Sequence, residues 1–237
     1  MITEAVILAG GFGTRLKTVI SDVPKPMAPV NGKPFLHYLL LYLKHYGITD
    51  VVMSTGYLAD KVEDYFGAAY QGMRIRYARE TAPLGTGGGI RLALEQCKSA
   101  HVLVLNGDSF LDFNLKSYFE FHLESSADVS MALREVEDGT RYGTILLDGK
   151  KIAAFREKSP ENNGKQLINA GIYIIRKKSY IKHTPADAAF SIEYDFFARY
   201  CDHLQFQGYK TEGYFIDIGL PEDYIKAQSD FTHFKYQ

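Results

Sequence analysis

The residues of this chain that are best suited to chemistry lie between positions 5 and 26. An apolar run at residues 5–8 is followed by three residues with almost no side-chain bulk, Gly10, Gly11 and Gly13. Because glycine lets the backbone approach a ligand closely, several N–H groups of such a loop can converge on one anion. Arg15 and Lys25 add two positive charges nearby. This combination predicts a phosphate site that suits a triphosphate and the negative charge that accumulates while a phosphoryl bond is exchanged.

Two better-known glycine motifs do not match this loop. The dinucleotide fingerprint G-x-G-x-x-G requires a third glycine where Leu16 stands, and an acidic residue about 20 positions further on. The next predicted strand ends instead at Met53 and Ser54. The P-loop sequence, in which a lysine and a hydroxyl residue follow the last glycine, does not occur in the chain. A dinucleotide-dependent oxidoreductase is therefore disfavoured.

Two aspartates repeat one arrangement, in which a carboxylate follows an apolar strand and stands near a glycine. Asp108 follows the predicted strand at residues 101–106. Asp217 follows the predicted strand at residues 214–216. A carboxylate at a strand end, where a ligand can approach, is well placed to hold Mg²⁺ against phosphate oxygens. An aspartate there can also cap a helix or close a turn, and Asp112 is a nearby competitor for the role of Asp108.

Strands and helices alternate along the chain in the pattern of an α/β fold. Apolar runs predict strands at residues 5–8, 50–54, 74–79, 101–106, 129–134, 167–175, 205–209 and 214–216. Helical spacing predicts helices at residues 35–46, 58–66, 90–97, 115–125, 178–183, 191–199 and 222–231. Residues 142–155 read as a hairpin with Asp148-Gly149 in a type I′ turn. The alternation implies a Rossmann-like, three-layer αβα arrangement around a mostly parallel mixed sheet.

Composition excludes several other classes of protein. The chain has 237 residues, enough for a large core, and its net charge of −1 favours neither a nucleic-acid nor an anionic-membrane partner. Its two cysteines, Cys97 and Cys201, have no C-x-x-C spacing, which fits a reducing compartment rather than a disulfide scaffold or a zinc site. The chain begins without a leader-like segment and has no run of about 18 apolar residues. A cytoplasmic location is therefore expected.

Taken together, these segments resemble the signature of the sugar-1-phosphate nucleotidylyltransferases. The likeness runs from Ile2 to about Tyr224. It is densest in short motifs: G-G-x-G-T-R-L (10–16), P-K-P (24–26), P-L-G-T (83–86), G-D (107–108), Y-G (142–143), E-K (157–158), N-A-G-I-Y (169–173) and F-x-D-x-G (215–219). The resemblance implies the nucleotide-diphospho-sugar transferase fold. It implies a single domain over residues 1–237, with a nucleotide-binding core at 1–135 and a small β-rich acceptor-sugar part at about 136–237.

The resemblance also implies roles for individual residues. Catalysis would depend on Arg15, Lys25, Asp108 and Asp217, and the two aspartates would hold Mg²⁺. The nucleoside triphosphate would contact Leu8, Ala9, Gly10, Gly11, Gly13, Thr14, Arg15, Lys25, Glu80, Pro83, Gly85, Thr86, Asn106, Gly107 and Asp108. The sugar 1-phosphate would contact Tyr142, Gly143, Glu157, Lys158, Asn169 and Gly171. In the implied reaction the sugar phosphate attacks the α-phosphorus of the triphosphate, and pyrophosphate leaves.

Glu80 is the residue expected to contact the base. It starts the loop at residues 80–89, and loops at the carboxyl ends of parallel strands line the ligand crevice. A carboxylate can accept from the two neighbouring N–H donors of guanine, although Glu80 could also be an ordinary solvated loop residue. The segment around Arg15 is most similar to family members that use GTP and D-glycero-α-D-manno-heptose 1-phosphate for bacterial surface polysaccharides. Mannose 1-phosphate guanylyl transfer, and uridylyl or thymidylyl transfer to other sugars, are the alternatives.

Three further features of the sequence bear on the function and assembly of the chain. In the family the second metal carboxylate usually stands in an aromatic-x-Asp-x-Gly context, and Phe215 takes the aromatic position here. Because the chain has no tryptophan, stacking of the sugar on an indole is in doubt, but the metal site is not. A non-catalytic nucleotide-sugar sensor would need the pocket but neither the acidic nor the basic pair. The presence of both pairs argues against a sensor. The 17 tyrosines and 15 phenylalanines permit a homo-oligomer interface without locating one.

Overall fold

The computed structural model describes residues 2–11, 22–140, 142–156 and 159–236. The strands are β1 (Glu4–Leu8), β2 (Pro29–Val30), β3 (Lys33–Pro34), β4 (Asp50–Thr55), β5 (Ala69–Tyr70), β6 (Met73–Arg79), β7 (His101–Asn106), β8 (Ser109–Leu111), β9 (Val129–Val136), β10 (Thr144–Asp148), β11 (Lys151–Arg156), β12 (Gln166–Arg176), β13 (Phe206–Thr211) and β14 (Phe215–Asp217). The α-helices are α1 (Phe35–His45), α2 (Ala59–Phe66), α3 (Gly85–Gln96), α4 (Leu115–Glu124), α5 (Lys177–His183), α6 (Ala198–Tyr200) and α7 (Pro221–Asp230). There are also 3₁₀ turns at Lys25–Met27 and Pro160–Asn162 and a π-helical segment at Ile192–Phe197.

A mixed sheet forms the centre of the molecule. Within the described ranges it has ten strands in the order β10-β11-β13-β9-β12-β7-β1-β4-β6-β5. Strands β7, β1, β4 and β6 pair in parallel, whereas β12 lies antiparallel between β7 and β9. Strands β11 and β5 also run against their neighbours, and the other seven strands share one direction. The expected mixed α/β sheet is confirmed, with four parallel and five antiparallel pairs of neighbouring strands, and strands beyond residue 135 extend it.

Helices cover both faces of this sheet because side chains alternate between the faces along each strand. Ala5 and Ile7 of β1 pack into one core with α1, α2, α4 and α7. Val6 packs into a second core with α3 and α5. Since both faces are buried, residues 5–8 of β1 form a continuous apolar run rather than an alternating pattern. The expected three-layer arrangement is confirmed.

Helix α1 shows how the sequence builds one of these layers. Pro34 holds an extended backbone before the first turn, and the following leucines recur at helical spacing. Most of the helix is buried, and the hydroxyl of Tyr42 donates to the Phe113 carbonyl oxygen at 2.8 Å. That bond satisfies a phenol that the sheet and helix otherwise enclose in apolar side chains. None of the helices in the described part of the chain is long and apolar enough to cross a bilayer.

Helix α3 begins at Gly85, earlier than the start predicted at residue 90. The glycines that suggested a loop form the first turns of this helix, because they pack closely against the segment at residues 188–190. A Cβ on Gly87 would lie 2.1 Å from the Phe190 ring, and a Cβ on Gly88 would lie 2.6 Å from the Ala188 carbonyl oxygen. Close packing therefore explains the glycines of this segment, and the predicted extent of the loop is wrong.

The segment predicted as a helix at residues 191–199 is helical, but its first part is the π-helix Ile192–Phe197, followed by α6. Ser191 caps it as predicted, since its hydroxyl oxygen accepts from the backbone N–H groups of Glu193 and Tyr194. A π-helical turn is uncommon and occurs frequently at functional sites. The apolar spacing of the sequence does not distinguish it from an α-helix.

The predicted hairpin of β10 and β11 forms, but its turn differs from the prediction. Asp148 pairs with Lys151, so the two-residue loop consists of Gly149 and Lys150. Of these two residues only Gly149 has a positive φ, +59°. A type I′ turn needs a positive φ at both central residues. The predicted type I′ turn at Asp148-Gly149 is therefore wrong.

Candidate active site

A cleft of about 480 Å³ opens at the carboxyl ends of β1, β6 and β7. Leu8 ends β1, Glu80 follows β6 and Asn106 ends β7. Ligand sites of open α/β sheets form at this edge, where successive connections diverge to opposite faces. Loops and element ends supply the rest of the lining: Gly10, Gly11, Lys25, Pro26, Pro83, Gly85, Thr86, Gly107, Asp108, Tyr142, Asp217, Gly219 and Leu220.

Most residues predicted to bind the nucleotide line this cleft. They are Leu8, Gly10, Gly11, Lys25, Glu80, Pro83, Gly85, Thr86, Asn106, Gly107 and Asp108. Ala9 does not, because it is fully buried and donates its N–H to the Ser54 carbonyl oxygen at 2.8 Å. The predictions for Gly13, Thr14 and Arg15 lie outside the described residues. Sequence reasoning missed Pro26, Gly219 and Leu220, although each lies within three positions of a predicted catalytic residue.

A second pocket of about 180 Å³ adjoins the cleft. Four residues predicted to bind the sugar phosphate line it: Tyr142, Gly143, Asn169 and Gly171. The predictions for Glu157 and Lys158 lie outside the described residues. Six lining residues lie outside the predicted sugar contacts, although Ala170 and Phe215 belong to motifs of the family resemblance: Ser109, Phe155, Ala170, Glu193, Tyr194 and Phe215. Carboxylate, amide and aromatic groups therefore surround a small space, a composition suited to a polyol.

The two pockets share one wall. Four residues line both of them: Asn106, Asp108, Tyr142 and Asp217. Two ligands bound on either side of such a wall would have their nearest groups beside the same two carboxylates. Holding reacting groups together in this way removes much of the entropic cost of a reaction between two molecules.

Lys25 joins the two carboxylates of this wall. Its Nζ lies 2.7 Å from Oδ2 of Asp108 and 3.1 Å from Oδ1 of Asp217. The lysine side chain is 14% exposed, and each aspartate side chain is about one-third exposed. One ammonium therefore bridges two acids that lie far apart in the sequence, at the point where the cleft and the second pocket meet.

A small two-stranded sheet brings the two aspartates together. In the antiparallel pair of β8 and β14, Asp217 lies opposite Ser109, the residue after Asp108. Ile218 then donates its N–H to the carbonyl oxygen of Asp108 at 3.0 Å. Oδ1 of Asp217 also accepts the N–H of Gly219 at 2.8 Å, which fixes the direction of this carboxylate. The backbone thus sets the separation of the two acids.

The three charges strongly affect one another. Burial lowers the pKa of Lys25, but the charges and hydrogen bonds of Asp108 and Asp217 outweigh burial and raise that pKa above its ordinary value. Burial and the charge of Asp108 raise the pKa of Asp217, against the opposing effect of Lys25. Two carboxylates in one site repel each other. Lys25 therefore compensates a charge repulsion that the fold builds into this wall.

Asp108 and Asp217 are the donor type that Mg²⁺ prefers, carboxylate oxygens open to a cleft. Because both already contact one nitrogen, they are close enough to contact one ion. Over the ranges 2–11, 22–140, 142–156 and 159–236, no cluster of three or more His, Cys, Asp or Glu side chains forms a metal site. Mg²⁺ is usually bound by one or two carboxylates together with phosphate oxygens and water. The two aspartates therefore fit a Mg²⁺ ion that binds together with a phosphorylated ligand.

Glu80 is held at the wall of the larger cleft by two hydrogen bonds. Its Oε1 accepts from the Ser54 hydroxyl at 3.0 Å, and its Oε2 accepts from the Leu84 N–H at 2.9 Å. An ionised carboxylate has about four acceptor positions, so both oxygens keep the capacity to accept from a ligand. Glu80 thus supports the start of α3 and also presents a fixed acceptor to the cleft.

Asn169 organises the wall of the second pocket. Its Oδ1 accepts the N–H of Gly171 at 2.9 Å, and its Nδ2 donates to the Tyr173 hydroxyl at 2.8 Å and to Oε1 of Glu193 at 3.3 Å. Asn169 is therefore a positioning group that joins β12 to the π-helical segment. Glu193 carried no signal in the sequence, because only the fold brings that segment against β12.

The sequence of the chain matches a known protein family over nearly its whole length. The family described as nucleotidyl transferase matches residues 4–233. The chain is similar to the D-glycero-alpha-D-manno-heptose 1-phosphate guanylyltransferase of Aneurinibacillus thermoaerophilus, with 42% identity over 98% of this chain and 99% of the relative. It is also similar to the protein of the same name from Campylobacter jejuni, with 40% identity over 93% of this chain and 96% of the relative.

A solved structure extends the comparison to three dimensions. The chain is similar to HddC from Yersinia pseudotuberculosis complexed with GMP-PN, with 37% sequence identity and a TM-score of 0.86. The alignment covers 98% of this chain and 100% of that chain. The similarity in fold therefore extends over nearly the whole length of both chains.

Proposed function

The chain belongs to the nucleotidyl transferase family, and on this basis we propose that it transfers a guanylyl group from GTP to D-glycero-α-D-manno-heptose 1-phosphate. The products are pyrophosphate and a GDP-heptose. Two relatives that cover nearly the whole chain carry the name of this activity. The structural relative HddC was crystallised with GMP-PN. These similarities support guanine as the base and the heptose as the acceptor.

One observation carries the proposal, namely that two pockets of unequal size share a wall that contains Asp108 and Asp217. The cleft of about 480 Å³ suits a nucleoside triphosphate, and the pocket of about 180 Å³ suits a sugar ring. The phosphates of both substrates would then lie beside the two carboxylates and Lys25. A nucleotide-sugar sensor could fill both pockets with one ligand, but it has no use for the charged triad between them.

The proposed reaction is an in-line exchange at the α-phosphorus of GTP. An oxygen of the sugar phosphate forms a bond to this phosphorus while the bond to the oxygen that bridges to the β-phosphate breaks. The electron pair of the broken bond leaves with pyrophosphate. Because the sugar phosphate is already an anion at neutral pH, no general base is required. The protein then contributes alignment and charge compensation.

Each part of the wall has a proposed role in this exchange. Lys25 donates to the reacting phosphates, and the N–H groups of the Gly10–Gly11 loop approach the phosphate chain. Asp108 and Asp217 hold Mg²⁺, which when bound supplies positive charge to the phosphate oxygens. Arg15, assigned by the family resemblance, steadies the departing pyrophosphate. Asn169 orients the wall against which the sugar lies.

We also propose that the protein works in the cytoplasm and supplies activated heptose for surface polysaccharides. Both cysteines, Cys97 and Cys201, are unpaired and buried. Unpaired thiols suit a reducing compartment, where nucleoside triphosphates are also available. Sugar transfer to a polysaccharide requires a donor activated by a good leaving group, which a nucleoside diphosphate provides.

The experiment that tests the function measures pyrophosphate release by the purified protein with Mg²⁺. Each of GTP, ATP, UTP and dTTP is combined with heptose 1-phosphate, mannose 1-phosphate and glucose 1-phosphate. The highest kcat/KM is expected for GTP with D-glycero-α-D-manno-heptose 1-phosphate. A preference for mannose 1-phosphate or for UTP or dTTP would replace the acceptor or the base, respectively. No pyrophosphate from any pair would contradict the proposed enzyme and favour a sensor.

A further inference from the structure

Lys25 lies at the point where a divalent ion shared by Asp108 and Asp217 would bind. Its Nζ contacts one oxygen of each carboxylate, at 2.7 Å and 3.1 Å. An ammonium and a divalent cation placed against the same two oxygens would repel each other strongly at this separation. The two cations therefore exclude each other from the space between the aspartates.

The surroundings of Lys25 provide this space and an exit from it. A Cβ on Gly219 would lie 2.6 Å from Nζ of Lys25 and 2.9 Å from Oδ1 of Asp217, so the glycine leaves room for the ammonium. Lys25 also lines the larger cleft, together with the glycine loop at Gly10 and Gly11. Its ammonium can therefore turn from the carboxylates towards a phosphate in the cleft without leaving the site.

The backbone that carries Lys25 is held in place, so this movement belongs to the side chain alone. Lys25 opens the 3₁₀ turn Lys25–Met27 between two prolines, Pro24 and Pro26. The Lys25 carbonyl oxygen accepts the N–H of Ala28 at 3.0 Å, which closes the turn. Proline fixes φ, and a lysine side chain has four flexible methylene groups. A fixed backbone with a long flexible side chain suits a charge that changes partners.

We propose that Lys25 is an internal counter-ion that competes with the divalent metal for Asp108 and Asp217, and that a bound triphosphate ends this competition by drawing Lys25 into the cleft. The inference rests on the proposed function, because it requires these carboxylates to hold the metal. Metal alone then binds weakly. Metal and nucleotide bind with positive coupling, since the phosphates give Lys25 a new partner and free both carboxylates. Coupling between linked sites typically changes affinity by about 5- to 150-fold.

A purely structural role of Lys25 makes the opposite prediction for binding of metal alone. If the lysine only ties the 3₁₀ turn to β14, its removal lets the two carboxylates repel each other and move apart. Metal affinity would then stay the same or fall. If Lys25 is a competitor, its removal exposes two carboxylates whose separation the β8–β14 backbone still fixes, and metal affinity rises.

The test measures binding of Mn²⁺ alone, without nucleotide, from the electron paramagnetic resonance signal of the free ion at one pH and ionic strength. Lys25→Met is compared with the wild-type chain and with Lys226→Met. Lys226 is a matched control, because it is an exposed lysine paired with Asp230 on α7, away from both pockets. We expect Lys25→Met to bind Mn²⁺ at least about tenfold more tightly than the wild type, within the usual range of coupling. Lys226→Met should bind as the wild type does.

Equal or weaker Mn²⁺ binding by Lys25→Met would overturn the proposal. Asp217→Asn separates this failure from failure of the proposed function, because a Mn²⁺ affinity that does not depend on Asp217 would mean that the aspartates are not the metal site. If Lys25→Met does not fold, wild-type crystals soaked in MnCl₂ provide the second measurement. The proposal expects a metal peak between Asp108 and Asp217 with Nζ of Lys25 displaced. Nζ still hydrogen-bonded to both carboxylates beside the metal would contradict it.

Discussion

Asp217 pairs directly with Ser109 in the antiparallel ladder of β8 and β14. This short sheet is separate from the ten-stranded sheet, and it brings Asp108 and Asp217 within hydrogen-bond distance of one lysine ammonium. The candidate site is therefore assembled by a local backbone pairing rather than by the main sheet alone. Substitutions that leave this pairing intact can change the chemistry of the wall without unfolding it.

Glu80→Gln tests whether the Glu80 side chain contacts the base and selects guanine. Glutamine keeps the size of Glu80 but replaces one acceptor by a donor, so it no longer matches the two N–H donors of guanine. We expect kcat/KM for GTP to fall on the order of 10- to 100-fold, about the discrimination of one bidentate contact, with little change for UTP. Ser54→Ala removes one support of Glu80 but no contact to a base, and its effect should be smaller. Equal losses for GTP and UTP would mean that Glu80 only supports the start of α3.

Glu193→Gln tests the second pocket. Glu193 lines it and is joined to Asn169. A hydrogen bond to a charged group contributes about 1.5 to 3 kcal/mol, so loss of the carboxylate should raise KM for the sugar phosphate roughly tenfold or more, with KM for GTP unchanged. Steady-state kinetics with each substrate varied in turn measures both constants. Glu124→Gln is the control, because Glu124 is an exposed glutamate at the end of α4. A rise in the KM of GTP, with the KM of the sugar phosphate unchanged, would contradict the assignment of Glu193 to the sugar-phosphate pocket.

The buried imidazole of His122 should make the free energy of unfolding depend on pH. It is fully buried, and its two ring nitrogens lie 2.8 Å from Nδ1 of His101 and 2.8 Å from Oγ of Ser130. Burial above all, with His101 and Arg176 adding to it, lowers the pKa of His122 to about 3. In the unfolded chain the pKa is about 6.5, so only the unfolded chain takes up this proton between these values. The free energy of unfolding is therefore highest above pH 6.5. It falls as the pH is lowered from 6.5 towards 3, by up to about 1.4 kcal/mol per pH unit.

Urea unfolding of the wild type and His122→Gln measures this effect. Between about pH 7.5 and about pH 5.5, the wild type should lose about 1.4 kcal/mol more of its free energy of unfolding than His122→Gln loses. His233→Gln removes an exposed histidine and should follow the wild type. The same loss in the wild type and in His122→Gln would contradict the assignment of this pH dependence to His122.

The sequence predicts the main elements because their signals are local. Strand β7 matches its predicted bounds and β1 is one residue longer, since a strand buried on both faces is a continuous apolar run. Strand β8 and the early start of α3 were not predicted. β8 exists because it pairs with β14, and the first turns of α3 exist because Phe190 packs against glycines. Such contacts join distant parts of the chain and leave no local pattern.

The same distinction between local and long-range signals applies to the candidate site. Asp108 and Asp217 were predicted from a carboxylate beside a glycine at a strand end, with Asp108 preferred over Asp112 through the family resemblance, and the structure brings both to one wall. The bridge by Lys25 could not, since it depends on where two loops meet. Glu193 was missed for the same reason, because its contact with Asn169 joins a π-helical turn to a strand. The sequence shows which residue types could serve the site, whereas the contacts between them are known only once the fold is known.

Asp217 is proposed to serve the reaction, in contrast to Asp112, which lies at the other end of the β8–β14 ladder and donates its N–H to the Tyr214 carbonyl oxygen. Asp112 pairs with Lys235 at 2.7 Å and with the Tyr236 hydroxyl, and it lines neither pocket. The decisive measurement is the rate of pyrophosphate release from GTP and D-glycero-α-D-manno-heptose 1-phosphate with Mg²⁺ by the wild type, Asp217→Asn and Asp112→Asn. Asp217→Asn should be slower by on the order of 100-fold or more, as expected for loss of an electrostatic stabiliser, and Asp112→Asn should keep the wild-type rate. A wild-type rate in Asp217→Asn, or an equal loss in Asp112→Asn, would contradict the claim.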